Sequence, residues 1–440
     1  MNTKDVVSKF DSLINRLEQS KEKFSIHPEK DFSRNRKISF GFIVRSILSF
    51  GGSTLTNELL RMGKYSPDSP SPSAFIQQRS KISHTAFTKL FHMGNLAFDQ
   101  DLRYKGYRLM AVDGSHVQVP NNPDDPDSYV KCTENERPHN EFHLNAMMDI
   151  LQGIYTDAVI QKYRTQNEDR ALIEMAERSQ NADSIAICDR GYESYNNMAH
   201  LQICGWKYIM RIKEPGRYGI ASGLQLPDCD EYDLPIHLSL TRRKNRETKE
   251  LLKDRNRYRY IPGSVGFDYL PSKNKHGDPV CFFTLDFRVV RIQTGDGLYE
   301  LLVTNLPASD FPAEELRKLY ALRWGIETSF RDLKYIVGML KFHSRKSDFV
   351  TQEIYANLIM YNLTQIIAGC VQVPSKKRKY EYKVRFSAAV NIARSLLLKD
   401  VSPPDAETLL RRMITPVRPN RSYSRKPRTK ARIQFVYRIS

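Results

Sequence analysis

Three carboxylates stand where the chain can bring acids together. Asp113 follows the apolar stretch LMAV and precedes Gly114, a small residue that leaves room beside it. Asp189 follows the apolar stretch SIAIC, and Glu327 lies in a segment with helical periodicity. Open α/β sheets place their active sites beyond the ends of strands. We therefore interpret Asp113 and Asp189 as strand-end acids that could meet Glu327.

Three converging acids, without a compensating His or Cys cluster, would form a hard, oxygen-rich site. Such ligands suit Mg²⁺ or Mn²⁺. Two ions held there would activate a water or a 3′-hydroxyl and stabilise the leaving oxygen of a phosphodiester. The pattern therefore predicts phosphoryl transfer.

Each acid also has an ordinary interpretation. Asp-Gly after a strand is commonly a turn, an Asp after a strand commonly caps the next helix, and a Glu at a helix edge is commonly solvated. His116 and His143 lie near the first acid in sequence, and both can be ordinary polar positions. A His base is not needed when metal ions lower the pKa of the nucleophile.

A row of polar residues accompanies Glu327. On a helical wheel the row forms one narrow stripe beside an apolar stripe suited to burial, whereas Asp332 falls away from both. Arginine can fork onto phosphate oxygens, lysine offers a point charge, and a tyrosine hydroxyl donates one hydrogen bond. The stripe could therefore hold a phosphate, although an i, i+4 network with Glu327 is the alternative. The row consists of Tyr320, Arg323, Glu327 and Lys334.

Composition restricts the class of protein. The chain has 440 residues, enough for two or three domains, and its 40% hydrophobic content is ordinary for a globular protein. A formal net charge of +18 indicates a polyanionic partner. Nucleic acid is favoured over an anionic membrane because no basic amphipathic helix has a broad apolar face. The lack of a signal-peptide pattern and of a CxxC pair favours a reduced, cytoplasmic protein.

The order of elements predicts an α/β fold with appended segments. Residues 1–100 are predicted to form a helical N-terminal DNA-binding domain. Residues 101–212 and 303–373 are predicted to form one α/β core with a mixed sheet, the second part containing the helix with Glu327. Residues 213–302 are predicted to be a β-rich insertion. Residues 374–440 are predicted to be a basic, mainly helical region for DNA contact or dimerisation.

Two short helices around the loop GKYSPDSPSPSA predict a DNA-reading unit in the N-terminal region, with a plain helical bundle as the alternative. Thr54 or Thr56 is expected to cap the first helix and Ser73 the second. The second helix offers Gln77, Gln78, Arg79 and Lys81 to DNA.

The spacing Tyr-x2-Arg-x3-Glu-x6-Lys of the polar row resembles the signature of the IS4 family of bacterial insertion-sequence transposases. The motifs VDGSH and DRGY resemble the two Asp-bearing strand ends of that family. The family inserts a β-rich subdomain between the second Asp and the Glu, which agrees with the long interval between Asp189 and Glu327. The resemblance extends over residues 105–373.

The resemblance implies an RNase H-like catalytic core whose acidic triad holds two Mg²⁺ or Mn²⁺ ions beside a bound DNA phosphate. The residues it assigns are Asp113, Asp189 and Glu327 to catalysis and metal binding, and Tyr320, Arg323 and Lys334 to the phosphate.

Cleavage in this family proceeds through hairpin intermediates, which requires a flipped base stacked on an aromatic side chain. Tyr299 is our first candidate, and Tyr258, Tyr260 and Phe283 stay open as alternatives. Each of the four residues can instead be a sheet-packing residue.

The implied activity is cut-and-paste DNA transposition. Such an enzyme binds the terminal inverted repeats of its element, hydrolyses the 3′-strand junction and joins the 3′-hydroxyl to target DNA. A homodimer holding both ends in a synaptic complex is expected, with no membrane partner and no small-molecule cofactor. Two alternatives stay open: a nuclease without strand transfer, and a domesticated, non-catalytic DNA-binding derivative. The intact set of three carboxylates argues against the second alternative.

Overall fold

The computed structural model describes most of the chain. The predicted basic arm at the C-terminus lies largely outside the described residues, as does Cys132. The described residues are 1–34, 36–130, 138–179, 181–216, 218–271, 280–295, 297–373 and 379–417.

The N-terminal region is helical, as predicted. The side chain of Thr54 caps α3 by accepting a hydrogen bond from the backbone N–H of Asn57. The prediction that Ser73 caps α4 is wrong: α4 begins earlier, because Pro72 suits the first helical turn and Ser71 accepts from the backbone N–H of Ala74. The helices are α1 Thr3–Gln19, α2 Phe40–Ser49, α3 Leu55–Met62, α4 Pro72–Arg79 and α5 Thr85–Phe98.

A mixed sheet follows the N-terminal helices. Its first strands, β1 to β4, come in succession, and β5 and β6 then alternate with helices. Strands β3 and β1 are antiparallel, as are β4 and β3, whereas β5 and β6 extend the sheet in parallel from β1. Strand β5, SIAIC, is buried along its whole length, and β6, KYIMR, is buried in its three central residues, as expected for parallel strands inside a sheet. The elements are β1 Arg108–Val119, β2 Tyr129–Val130, β3 His139–Asp149, β4 Ile154–Lys162, α6 Glu168–Arg178, β5 Ser184–Cys188, α7 Tyr195–Ile203 and β6 Lys207–Arg211.

The strand-rich region after β6 continues the same sheet. Strand β10 pairs antiparallel with β6 and forms a hairpin with β9, so one ten-stranded sheet runs from β2 to β8. Gly297 lies in the hairpin turn with φ at +68°, a conformation that favours glycine. The elements are β7 Tyr232–Thr241, α8 Arg246–Leu251, β8 Tyr258–Tyr260, β9 Phe283–Gly295 and β10 Leu298–Thr304.

The helix predicted to carry the polar row is broken at Arg323 into α9 and α10, and a π-helical turn, Leu333–Val337, follows α10. The apolar stretch that begins at Ile354 is a largely buried part of α11, and no described helix is long and apolar enough to cross a membrane. The elements are α9 Ala313–Leu322, α10 Trp324–Asp332, α11 Ser347–Gly369, β11 Tyr382–Val384, α12 Phe386–Leu397, α13 Pro403–Arg412 and β12 Ile414–Pro416.

A buried ion pair joins the N-terminal helices to α11. Arg79 of α4 is only 1% exposed. Its guanidinium donates to the carboxylate of Glu353 at 2.8 Å, to the side-chain carbonyl of Gln352 at 2.9 Å and to the backbone carbonyl of Phe349 at 2.7 Å. Burying a guanidinium is tolerable because these acceptors replace water. The prediction that Arg79 faces DNA is therefore wrong.

Replacing Arg79 with Met should destabilise the protein by about 3–5 kcal/mol, because the Glu353 carboxylate would stay buried without its cation. The control is Lys37→Met, which removes an ion pair whose side chains are 64% and 88% exposed and should have little effect. Urea denaturation measures both, and equal midpoints for the two variants would contradict this role of Arg79.

Candidate active site

The strand register brings Asp113 and Asp189 together. The parallel pairing of β1 with β5 ends at Val112 opposite Cys188. Asp113 directly follows Val112, and Asp189 directly follows Cys188. The prediction that Asp113 ends its strand is wrong, because β1 continues through Asp113, which pairs with Ala146 of β3. Asp189 directly follows the last residue of β5, so the register places the two aspartates side by side where the β1–β5 pairing ends.

Gly114 is required by close packing and not by a turn. A Cβ atom there would lie 2.4 Å from Nε2 of His143 and 2.5 Å from Oε1 of Glu168. The backbone N–H of Gly114 donates to Oδ1 of Asp113 at 2.9 Å. The Asp-Gly pair thus fixes the first carboxylate within a continuous strand.

Arg323 is the cation among the acids. Its Nη2 lies 2.9 Å from Oε1 of Glu327, and its side chain is only 4% exposed. Burial alone would lower the pKa of Arg323, but Tyr320, Asp189 and Glu327 together raise it. The i, i+4 pair that the sequence offered as an alternative is therefore present. It joins Arg323, the residue between α9 and α10, to Glu327 of α10.

Asp189 is held in the ionised form by several neighbours. The hydroxyl of Tyr320 donates to its Oδ1 at 3.1 Å, and Nη1 of Arg211 lies 4.0 Å away. Burial raises the pKa of Asp189, but the backbone N–H of Arg190, the charge of Arg323 and the Tyr320 hydroxyl outweigh burial and lower it.

Asp113 has less positive charge around it. Burial raises its pKa to about 6, with Glu327 and Glu168 raising it further, while the Gly114 N–H and Arg323 act in the opposite direction. A carboxylate that ionises with difficulty beside two other acids is an environment that favours a bound cation.

Lys334 lies on the π-helical turn and reaches back to β1. Its Nζ donates to the backbone carbonyl of His116 at 2.7 Å. Burial lowers the pKa of Lys334, opposed by the carboxylate of Glu141. Lys334 thus lies beside the strand that carries Asp113, and its contact is to this carbonyl and not to Glu327.

The aromatic candidates have packing partners in the extended sheet. The guanidinium of Arg291 lies 4.3 Å from the centroid of the Tyr299 ring. Phe283 stacks on Tyr269 at 5.0 Å between centroids. The remaining contacts are Tyr258 with Phe282 at 5.9 Å and Tyr260 with Lys244 at 5.7 Å. These contacts are consistent with packing and leave a stacking role for Tyr299 a prediction.

Sequence reasoning missed Glu168 beside the acids. Its Oε1 lies 2.9 Å from Nε2 of His143, whose ring is 4.7 Å from that of His116, and Nδ1 of His116 lies 2.7 Å from Oε1 of Glu141. In sequence, Glu168 resembles an ordinary acid in the first turn of α6. The available signal was the pair of histidines near Gly114: His116 lies two residues after it on β1, and His143 pairs with His116 from β3.

The donor chemistry of the three carboxylates suits a hard divalent cation. Among the described residues, no three His, Cys, Asp or Glu side chains already lie close enough to enclose a metal ion. Glu327 is paired with Arg323, so ion binding would require its carboxylate to share or leave that contact.

Residues 104–363 match the family model described as the transposase DDE domain. The match covers more than half of the chain and contains Asp113, Asp189 and Glu327. The chain therefore belongs to the DDE-domain transposase family.

Curated relatives refine this assignment to the IS4 family, which confirms the resemblance seen in the sequence. The chain is 22% identical over 306 residues to the transposase InsG of insertion element IS4 from Escherichia coli (strain K12), covering 67% of this chain and 60% of that protein. It is 26% identical over 216 residues to the transposase of IS421 from Escherichia coli, covering 47% of this chain and 57% of that protein. The chain thus spans about three-fifths of the length of these relatives.

Among solved structures, the piggyBac transposase synaptic complex with hairpin DNA is similar over 96% of this chain and 87% of that chain. The sequence identity is 11% and the TM-score is 0.44.

The raised pKa of Asp113 predicts a pH dependence of stability without divalent cations. Between the ordinary pKa and about 6 the folded state binds more protons than the unfolded state, so the free energy of unfolding falls as pH rises. Asp113→Asn should abolish this fall, and at pH 7 the variant should be more stable by up to about 3 kcal/mol.

Urea denaturation from pH 3.5 to 8 measures the effect. Asp68→Asn, which changes an exposed carboxylate, should follow the wild-type profile. Parallel profiles for wild type and Asp113→Asn would contradict the raised pKa.

Proposed function

We propose that this protein is a cut-and-paste DNA transposase. It binds the terminal inverted repeats of its element, cleaves the 3′-strand junctions and joins the 3′-hydroxyl ends to target DNA. The observation that carries this proposal is the convergence of Asp113, Asp189 and Glu327 around buried Arg323, inside a matched DDE domain. The strong net positive charge supports DNA as the partner.

The proposed catalytic core is RNase H-like. It comprises the strands from 101–212 and the helices from 303–373, and the antiparallel β4-β3-β1 strands extended in parallel by β5 and β6 support it. The division into an end-binding region at 1–100, a β-rich insertion at 213–302 and a basic region at 374–440 is part of the same proposal. A cytoplasmic homodimer holding both ends completes it.

Divalent cations are part of the proposed chemistry, since the DDE family generally uses them. We assign Asp113, Asp189 and Glu327 as the ligands of Mg²⁺ or Mn²⁺, with two ions per site. When bound, the ions would supply activation of a water or a 3′-hydroxyl. Tyr320 orients the Asp189 carboxylate, and the raised pKa of Asp113 describes an acid that gains from an added cation.

Arg323 and Lys334 are assigned to the DNA phosphate, together with Tyr320. Arg323 approaches from the side of Glu327, and Lys334 from the carbonyl of His116 on β1. Their guanidinium and ammonium groups would bracket a phosphodiester lying over the acids. In this assignment, a DNA phosphate takes the place of the Glu327 carboxylate beside Arg323 and of the His116 carbonyl beside Lys334.

Each of Asp113→Ala, Asp189→Ala and Glu327→Ala should abolish Mg²⁺-dependent cleavage of duplexes that carry the inverted repeats flanking the gene, while end binding stays measurable. The control is Asp332→Ala, on the same helix as Glu327 but paired with Arg331, which should cleave normally. Normal cleavage by Glu327→Ala would exclude the triad, and cleaved but never joined products would favour the nuclease.

The metal assignment has a readout apart from activity. Mg²⁺ or Mn²⁺ should raise the melting temperature of the wild type and of Asp332→Ala, because an ion that binds only the folded state stabilises it. The shift should disappear in Asp113→Ala. An unchanged shift in that variant would exclude Asp113 as a ligand.

Lys334→Met should weaken the binding of cleaved ends and lower the slope of log affinity against log salt by about 1, because one phosphate contact is lost. Lys318→Met on α9, which removes a 68% exposed lysine, should leave the slope unchanged. Fluorescence anisotropy at several salt concentrations measures both, and identical slopes would exclude Lys334 from the phosphate site.

A further inference from the structure

We infer that the transposon-end duplex is recognised by the outer face of α4, with its phosphates held in a cationic cavity beside that helix. This inference rests on the proposed function and names the surface that performs end recognition. We call it the α4 surface: the outer face of α4 together with the cavity lined by described residues of 29–34 and 36–38, and by Gln78 and Lys81.

The outer face of α4 offers chemistry suited to base edges. Three exposed residues of α4 and its exposed C-cap residue recur at positions i, i+3, i+4 and i+7, so they share one side of the helix. Gln77 can pair with the edge of an adenine, and the methyl groups of Ile76, which is 38% exposed, can contact a thymine methyl. A helix of this kind fits the major groove of duplex DNA. These residues are Ser73, Ile76 and Gln77 of α4 and the C-cap Ser80.

A cavity of about 280 Å³ lies beside this face. Four cations line it against a single acid, Glu29, and Gln78 of α4 closes one wall. Such an excess of positive charge over a small concave surface attracts phosphate oxygens. The cations are Lys30, Arg34, Arg36 and Lys81.

The loop that forms the cavity is held in a defined conformation. Phe32 is buried with φ at +55°, a strained region for a non-glycine residue. Nζ of Lys21 donates to the carbonyl of Phe32 at 2.8 Å, and Oδ2 of Asp31 accepts from the backbone N–H of His27 at 2.9 Å. These contacts keep the cavity at a fixed place beside α4.

The inner side of α4 fixes the surface relative to the acids. Arg79 points inward to Glu353, Gln352 and Phe349 of α11, and α11 packs against β4 of the central sheet. A helix clamped in this way cannot rotate freely. DNA bound on the α4 surface would therefore be presented to the active site in a defined register.

The charge and shape favour duplex DNA over other polyanions. A helix face with exposed polar and apolar side chains suits the wide major groove of B-form DNA, whereas the major groove of an RNA duplex is too narrow and deep for side chains to read. An RNA duplex of the same sequence is therefore a competitor that should bind more weakly.

The test measures fluorescence anisotropy with full-length protein and two DNA duplexes, one carrying the inverted repeat flanking the gene and one with that sequence scrambled. Gln77→Ala should lower the preference for the repeat about tenfold, because a base contact is lost. Arg34→Ala combined with Arg36→Ala should weaken binding to both duplexes alike and lower the salt slope by about 2. Lys4→Ala, an exposed change on the first turn of α1, is the matched control and should alter neither.

The outcomes separate this inference from the proposed function. An unchanged preference in Gln77→Ala, an unchanged salt slope in the double variant, or tighter binding of the RNA duplex would overturn the α4 surface. If the preference falls as expected but the wild type never cleaves the ends with Mg²⁺, the surface stands and the proposed catalytic function fails. If cleavage depends on the three acids while both surface variants behave as wild type, the catalytic function stands and the surface fails.

Discussion

The charge balance around Arg323 is the constraint on which the site depends. Three carboxylates are brought together where the β1–β5 pairing ends, and like charges at short range in a partly buried place are costly. One buried guanidinium, bonded to Glu327 and close to Asp189, offsets part of that cost. The compensation is incomplete at Asp113, whose pKa stays raised. The remaining negative charge gives the site its attraction for a cation.

The position of Arg323 in turn depends on how α10 is fixed to the sheet. The hydroxyl of Tyr155 on β4 is hydrogen-bonded to Ser329 of α10 at 2.7 Å. The side chain of Asn362 on α11 accepts from the backbone N–H of Tyr155 at 2.8 Å and donates to its carbonyl at 2.7 Å. A fully buried polar chain of this kind has a single satisfied arrangement, so it sets the relative position of strand and helices. Through Arg79, α11 carries the same constraint to the N-terminal helices.

Local sequence predicted most of the elements because periodicity, caps and turn residues act over short distances. The helices of the N-terminal region and the mixed α/β sheet that follows them agree with the predicted pattern. The predictions that failed were decided by distant partners. Pairing with β3 carries β1 through Asp113 and Gly114, and burial against α11 turns Arg79 away from solvent. The break at Arg323 lies where that side chain turns toward the acids.

The sequence by itself determined the order of the elements, the family, and the identity of the three carboxylates and their polar row, because these depend on residue types at short or fixed spacings. Only the tertiary structure decided which partners those residues meet. The register of β1 against β5 sets Asp113 beside Asp189, and packing against the sheet brings α10, with Glu327 and Arg323, to them. Glu168 joins the site for the same reason, through His143 and the space left by Gly114. These contacts join residues far apart in the chain. Local periodicity carries no information about strand register or about which buried acid pairs with which buried cation.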